Sequence, residues 1–214
     1  AAVTKTGSPQ GGMSTKQAMV WQWLHHADAV IPVTGRSPEQ LSRVLLPMSS
    51  SSICLQGAVI LDSSRQQVDS WWENVKNMAL DFGDTLNELV ETLTPICCSL
   101  NATPFVVAHE EIPLFIKLRP ASKGMNVDWV GLHSTVCDYV KRAVDGKGLS
   151  VRQDTRELLI LPSHLGKEKA VNHILGELSP SLSIGVGHSV ADKAFMQACD
   201  VAVWIDSTVA PGQE

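Results

Sequence analysis

Three places in the chain put small or charged polar residues just past an apolar run. They are Val30-Ile-Pro-Val-Thr34-Gly35-Arg36, Leu158-Leu-Ile-Leu-Pro162 leading to Lys167, and Ile184-Gly-Val-Gly187-His188-Ser189 leading to Asp192. In an open α/β sheet, ligands bind outside the carboxyl ends of the strands. A hydroxyl, an ammonium and a carboxylate delivered there suit a pocket for a phosphate and a divalent cation. Thr34, with nearby backbone N–H groups, suits an oxyanion; it also reads as a residue closing a strand, with Gly35 and Ser37 serving the turn and the next helix. Lys167 near a helix start opposes the helix dipole, which is easier to explain if it neutralises a phosphate. It also reads as a solvated lysine like Lys169. In the Gly185–Asp192 turn, two glycines let the backbone turn tightly and approach a ligand. His188 and Ser189 carry donors for a phosphate, and Asp192 either caps a helix or holds a cation such as Mg²⁺, which prefers carboxylate oxygens, waters and phosphate.

Other candidates carry less. A dinucleotide fingerprint at Gly185-x-Gly187 fails at position 190, which is Val190 rather than glycine or alanine. His109-Glu110-Glu111 lacks the second histidine of a zinc-protease motif, and His25-His26 reads as a polar helix end. Cys54, Cys97, Cys98, Cys137 and Cys199 show no Cys-x-x-Cys spacing, and their odd number argues against a complete disulfide framework. They read as small buried or partly buried thiols.

The elements that must position these residues follow from local pattern. Residues 1–13 are rich in Gly, Ser, Thr and Pro and read as a loop. A helix capped by Ser14 is expected through His25, with Met13, Val20, Trp21 and Leu24 as apolar positions. A short strand over 29–33 and a helix over 38–46, with Ser37 as cap and Pro38 at its first position, come next. Residues 53–61 read as one or two strands with a turn at Gln56-Gly57. Helices are expected over 68–80, 85–93, 129–144, 166–178 and 191–199, and strands over 105–107, 113–119, 149–153, 158–161, 182–186 and 201–204. Trp71, Trp72 and Trp129 read as core, with one of them able to face a sugar-like ligand.

Strand–helix alternation at both ends implies a mostly parallel sheet covered by helices. The segment 63–156 reads as an inserted α+β lid. The chain has 214 residues, 44% of them hydrophobic and 18% charged, which suits a globular protein of one large domain or a core plus a smaller one. A net charge of −5 with no long basic run argues against a nucleic-acid surface. No apolar run is long enough to cross a bilayer, and the opening residues lack the apolar stretch of a signal peptide. A cytoplasmic location is expected, with no membrane or nucleic-acid partner.

Together these residues resemble the haloacid dehalogenase superfamily, in the capped branch that includes sucrose-phosphate and mannosyl-phosphoglycerate phosphatases. Val33-Thr34-Gly35-Arg36 is similar to its second motif, and Gln56-Gly57-Ala58 to the Asn-Gly-Ala stretch that follows. Lys167 matches the third motif, and Gly185-Val-Gly-His-Ser-Val-Ala-Asp192 the fourth, which normally reads Gly-Asp-Ser-x-x-Asp. The resemblance implies a Rossmann-like α/β core over 1–62 and 157–214, with an α+β cap over 63–156. It implies a Mg²⁺-dependent phosphatase of a small phosphorylated metabolite, of sugar-phosphate type, acting through an aspartyl-phosphate. Thr34, Gly35, Arg36, Lys167, His188 and Ser189 would hold phosphate, with Thr34 and Lys167 also serving catalysis, and Asp192 would belong to the metal site. Two departures stand out. Residues 1–13 contain no Asp or Glu, so the Asp-x-Asp nucleophile motif and its strand are expected on a segment before Ala1. His188 replaces a metal-binding aspartate. A non-catalytic relative that binds a phosphorylated ligand or a protein partner is the alternative.

Overall fold

The computed structural model describes residues 2–4, 6–12, 15–24, 26–143, 148–154 and 157–205. The expected cap at Ser14 and the helix positions Met13, His25 and Val144 lie outside the described residues. In chain order the first elements are β1 (Ala2–Val3), β2 (Pro9–Gly11), α1 (Thr15–Leu24), α2 (Pro38–Leu41), β3 (Ser52–Cys54) and β4 (Val59–Leu61). There follow α3 (Asp69–Leu80), α4 (Gly83–Ser99), β5 (Ala102–His109), β6 (Ile112–Pro120), α5 (Trp129–Ala143), β7 (Leu149–Asp154) and β8 (Glu157–Pro162). The last are α6 (Lys167–Leu178), β9 (Ile184–Gly187), α7 (Lys193–Met196) and β10 (Val201–Trp204). They fall into two compact units: Ala1–Trp72 with Lys167–His188 and Phe195–Glu214, and Glu73–Gly166 with Ser189–Ala194.

The first unit holds the parallel pairing. β9 and β10 run parallel in register from Ile184↔Val201 to Gly187↔Trp204. Val33 makes a parallel bridge to Ile53. β3 and β4 form an antiparallel hairpin joined by a 3₁₀ turn over Leu55–Gly57. In that turn Leu55 (φ 49°) and Gln56 (φ 58°) are left-handed, a region that residues with a side chain seldom enter. α6 presents Ala170, Val171 and Ile174 one helical turn apart, and these pack with Ile53, Ile60, Phe195 and Met196. Gly185 is required where β9 meets the end of α7, since a Cβ there would lie 2.8 Å from the Met196 Cα.

The second unit is an antiparallel sheet in the order β5-β6-β8-β7. Alternate residues of its strands, among them Ile116, Leu118, Leu158 and Ile160, join Leu86, Leu89 and Leu93 of α4 and Leu132, Val136 and Val140 of α5 in one buried core. The three- and four-residue spacing on the helices and the two-residue spacing on the strands are the periods at which one face is repeatedly turned to a neighbour.

Several elements differ from the sequence expectation. Residues 1–13 are not all loop: β1 and β2 pair with each other, and Ala2 also bridges to Val44. That bridge, with the Val3 N–H donating to the Arg43 carbonyl, draws the chain out of helix. The helix expected over 38–46 therefore ends at Leu41. The strand expected over 29–33 shrinks to the Val33 bridge, because Pro32 has no N–H to give and contributes only its carbonyl, 2.8 Å from the Ile53 nitrogen. The helix expected over 191–199 is a 3₁₀ turn, Val190–Asp192, followed by the single turn α7. In the other direction, α4 runs past Leu93 and through Pro95 to Ser99.

Candidate functional site

Thr34, Gly35 and Arg36 form a tight loop fastened to the turn after β3. The Thr34 N–H donates to the Ile53 carbonyl (2.9 Å), the Leu55 N–H to the Arg36 carbonyl (2.9 Å) and the Gln56 N–H to the Thr34 carbonyl (3.3 Å). The Thr34 hydroxyl accepts from the Arg36 N–H (3.2 Å), a short-range turn that leaves its own O–H to donate elsewhere. The Gly35 N–H donates to no described residue. Directly after the loop, Ser37 caps α2: its hydroxyl accepts from the Gln40 N–H (3.2 Å), and the Gln40 side chain accepts from the Ser37 N–H (3.1 Å). Arg36 is exposed. The loop thus offers a hydroxyl, a backbone N–H and a guanidinium, all of them donors.

Lys167 is the first residue of α6 and is only 6% exposed. Its ammonium lies 5.9 Å from the centre of the Phe195 ring, over its face. A buried ammonium is stabilised there by the ring quadrupole. α6 packs on β3 and on the 55–57 turn, the same turn to which the Thr34 loop is bonded. Both the strand-end pattern and the resemblance assign Thr34 and Lys167 to one pocket; in the fold the Thr34 loop and α6 rest on the same turn. That turn is itself held by Trp71, whose indole N–H donates to the Gly57 carbonyl (3.0 Å) and whose ring lies 4.7 Å from that of His173.

His188 follows β9 and is exposed. Ser189 and Asp192 are buried together in the second unit. One oxygen of Asp192, Oδ2, accepts from the Ser189 N–H (3.2 Å) and from the Ser189 hydroxyl (3.0 Å). Asp192 therefore closes its own turn, the structural role weighed for it against metal binding. Among the described residues no group of three or more His, Cys, Asp or Glu gathers where it could hold a metal ion. Mg²⁺ is usually held by one or two carboxylates together with waters and phosphate, and the described residues assemble no group of three or more ligands that would hold it unaided.

The residue that sequence reasoning did not place in the site is Gln56. Its side chain lies against Gly35, where a Cβ would be 2.5 Å from its Nε2. The signal was a single polar residue inside the otherwise apolar run Ile53–Leu61.

No family model matches the chain, and no curated protein matches it. Its fold does match solved structures. A trehalose-6-phosphate phosphatase related protein aligns with a TM-score of 0.54 at 19% identity, over 90% of this chain and 75% of that one. The sucrose-phosphatase from Synechocystis, solved with sucrose and phosphate, aligns with a TM-score of 0.53 at 15% identity, over 86% and 74%. A haloacid dehalogenase-like hydrolase from B. subtilis aligns with a TM-score of 0.52 at 14% identity, over 89% and 82%. The chain has the α/β fold of the haloacid dehalogenase-like hydrolases.

Proposed function

We propose that the protein is a phosphatase-type hydrolase acting on a small phosphorylated metabolite of the sugar-phosphate kind. Residues 1–62 and 157–214 are read as its core and 63–156 as its cap. The observation that carries the proposal is the Thr34–Arg36 loop, whose donors stand on the same 55–57 turn that supports the helix of buried Lys167. Thr34 O–H and Gly35 N–H donate to phosphate oxygens, Arg36 adds charge at the rim, and the Lys167 ammonium offsets charge on the phosphate and on the attacking group. His188 offers a further donor, while Ser189 acts by fixing Asp192.

The attacking group in this reading is an aspartate outside the sequence described. Its carboxylate oxygen bonds to phosphorus as the ester bond to the metabolite breaks, and the leaving alcohol takes a proton. Water then cleaves the aspartyl-phosphate and frees inorganic phosphate. The resemblance implies Mg²⁺ as well; the described residues do not assemble its site, and no step is assigned to it.

The test is phosphate release by the full-length protein from a panel of sugar phosphates. Lys167→Ala is expected to lower turnover by about two orders of magnitude. Unchanged turnover would remove Lys167 from the site, and no phosphate release from any member of the panel by the parent protein would overturn the phosphatase reading. A second reading, a non-catalytic binder of phosphorylated ligands, is favoured by the commitment of Asp192 to Ser189 and by His188 in place of an acid. Binding of the same panel with no release, in a chain that carries the Asp-x-Asp segment, would decide for it.

A further inference from the structure

The 55–57 turn is held in a conformation that its own residues oppose. Leu55 (φ 49°), Gln56 (φ 58°) and Gly57 (φ 99°) are left-handed in succession, and the first two carry side chains. Backbone of this kind persists where its surroundings over-determine it. The turn carries the Thr34 loop through two backbone bonds, from the Leu55 N–H to the Arg36 carbonyl and from the Gln56 N–H to the Thr34 carbonyl. Its own Gly57 carbonyl accepts from the indole N–H of Trp71 (3.0 Å). The same indole makes a second contact. Its ring lies 4.7 Å from the imidazole of His173, tilted by 32°. His173 is on α6, the helix that Lys167 begins. Trp71 also packs against the cluster of Ile53, Ile60, Ala170, Val171 and Ile174. A phenylalanine could fill that core and face His173, but it could not reach the Gly57 carbonyl with a donor. Trp71 thus joins the turn under Thr34 to the helix of Lys167.

We infer that Trp71 is a positioning residue of the anion site, fixing the Thr34 loop relative to the helix that Lys167 begins. The inference rests on the phosphatase-type reading above and extends it to a residue that touches no ligand. The Thr34 O–H, the Gly35 N–H and the Lys167 ammonium meet one phosphate only if the loop and α6 keep a fixed spacing. Donors preset in this way bind without reorganising, and a turn released from Trp71 has to be ordered again at each binding event. Removing the indole N–H leaves every donor in the chain and changes only how the donors are held.

The experiment compares the full-length protein with Trp71→Phe, His173→Gln, Ser183→Ala and Lys167→Ala. Inorganic phosphate is the probe in calorimetric titration, and the denaturation midpoint of each protein is recorded. Ser183, whose hydroxyl donates to the Asp200 carboxylate (2.6 Å), is the control for a hydrogen bond lost elsewhere in the same unit. The expected result is phosphate binding weakened about tenfold in Trp71→Phe and less in His173→Gln, with parent affinity in Ser183→Ala even where its midpoint falls. Affinity retained in Trp71→Phe but lost in Lys167→Ala would overturn the role of Trp71 and leave the site standing. Equal weakening in Trp71→Phe and Ser183→Ala would trace the effect to general destabilisation and overturn it as well. If Trp71→Phe does not fold, His173→Gln decides: weakened binding supports the role and parent affinity overturns it. A parent that binds no phosphate, or affinity unchanged in Lys167→Ala, would overturn the site together with this inference.

Discussion

Two cysteines show how burial decides reactivity residue by residue. Burial pushes the thiols of Cys54 and Cys97 from an ordinary 9.0 up to about 11, against a partial opposing pull on Cys54 from the Arg65 guanidinium. Both side chains are fully buried, whereas Cys98, next to Cys97, is exposed. The thiolate is the reactive form, so alkylation of the native protein at mildly alkaline pH is expected to label Cys98 and spare Cys54 and Cys97. Mass spectrometry of the labelled peptides checks this, and native labelling of Cys54 at the rate of Cys98 would refute it. The same shift has a stability consequence with a fixed sign. Between 9.0 and about 11 the unfolded thiols have lost protons that the folded ones keep. Their contribution to stability is whole below 9.0 and falls as pH rises through that window. At the same scale, Thr34 shows why chemistry is hard to read from type alone. Its hydroxyl both shapes the turn through Arg36 and keeps a donor for a ligand, so the structural and functional roles coexist.

Among the elements, those fixed by local rules were legible and those fixed by distant partners were not. The hairpin of β3 and β4 falls where Ile53–Leu61 placed it, with the turn at Gln56-Gly57. Ser37-Pro38 starts α2 by the capping chemistry its residues announce. The end of α2 was not legible, because the competing partner, Ala2, lies 42 positions before Val44 in sequence. The run Val30–Val33 has the composition of a buried strand, but Pro32 denies it the donor a strand would use, and only Val33 pairs. In sequence Thr34, Gly35 and Lys167 stand out by their place after apolar runs, whereas Gln56, which lies against Gly35, does not. A buried amide in an apolar run is visible in sequence only as an oddity until the side chain beside it is known to be Gly35. Element packing also yields a prediction at Gly185. An alanine Cβ there would stand 2.8 Å from the Met196 Cα and 3.1 Å from the Cys199 sulfur. A backbone atom cannot rotate away, so Gly185→Ala is expected to cost about 1–3 kcal/mol in chemical denaturation. An unchanged denaturation midpoint would mean that β9 does not approach Met196 so closely.

For the whole molecule, likeness of fold and complement of chemistry have to be weighed separately. One fold hosts many activities, and an identity of 15% or 19% to sugar-phosphate phosphatases and their relatives carries the architecture rather than the reaction. What this chain adds of its own is a set of donors: Thr34 O–H, Gly35 N–H, Arg36 and Lys167. All favour an anion. What the described residues do not add is a ligand set for a cation, since Asp192 has an oxygen bound to Ser189 and His188 stands where the resemblance expects an acid. Anion binding and metal binding should therefore separate in this protein. Inorganic phosphate is expected to raise the thermal midpoint by the same amount in a chelator as in excess Mg²⁺, and to lose that effect in Lys167→Ala. High salt should weaken it, because an exposed guanidinium such as Arg36 is screened within a few ångströms of solvent while a buried ammonium such as Lys167 is screened less. If Mg²⁺ instead tightens phosphate binding severalfold, carboxylates must be recruited to the ion, and the division between anion and cation chemistry drawn from the side chains would be wrong.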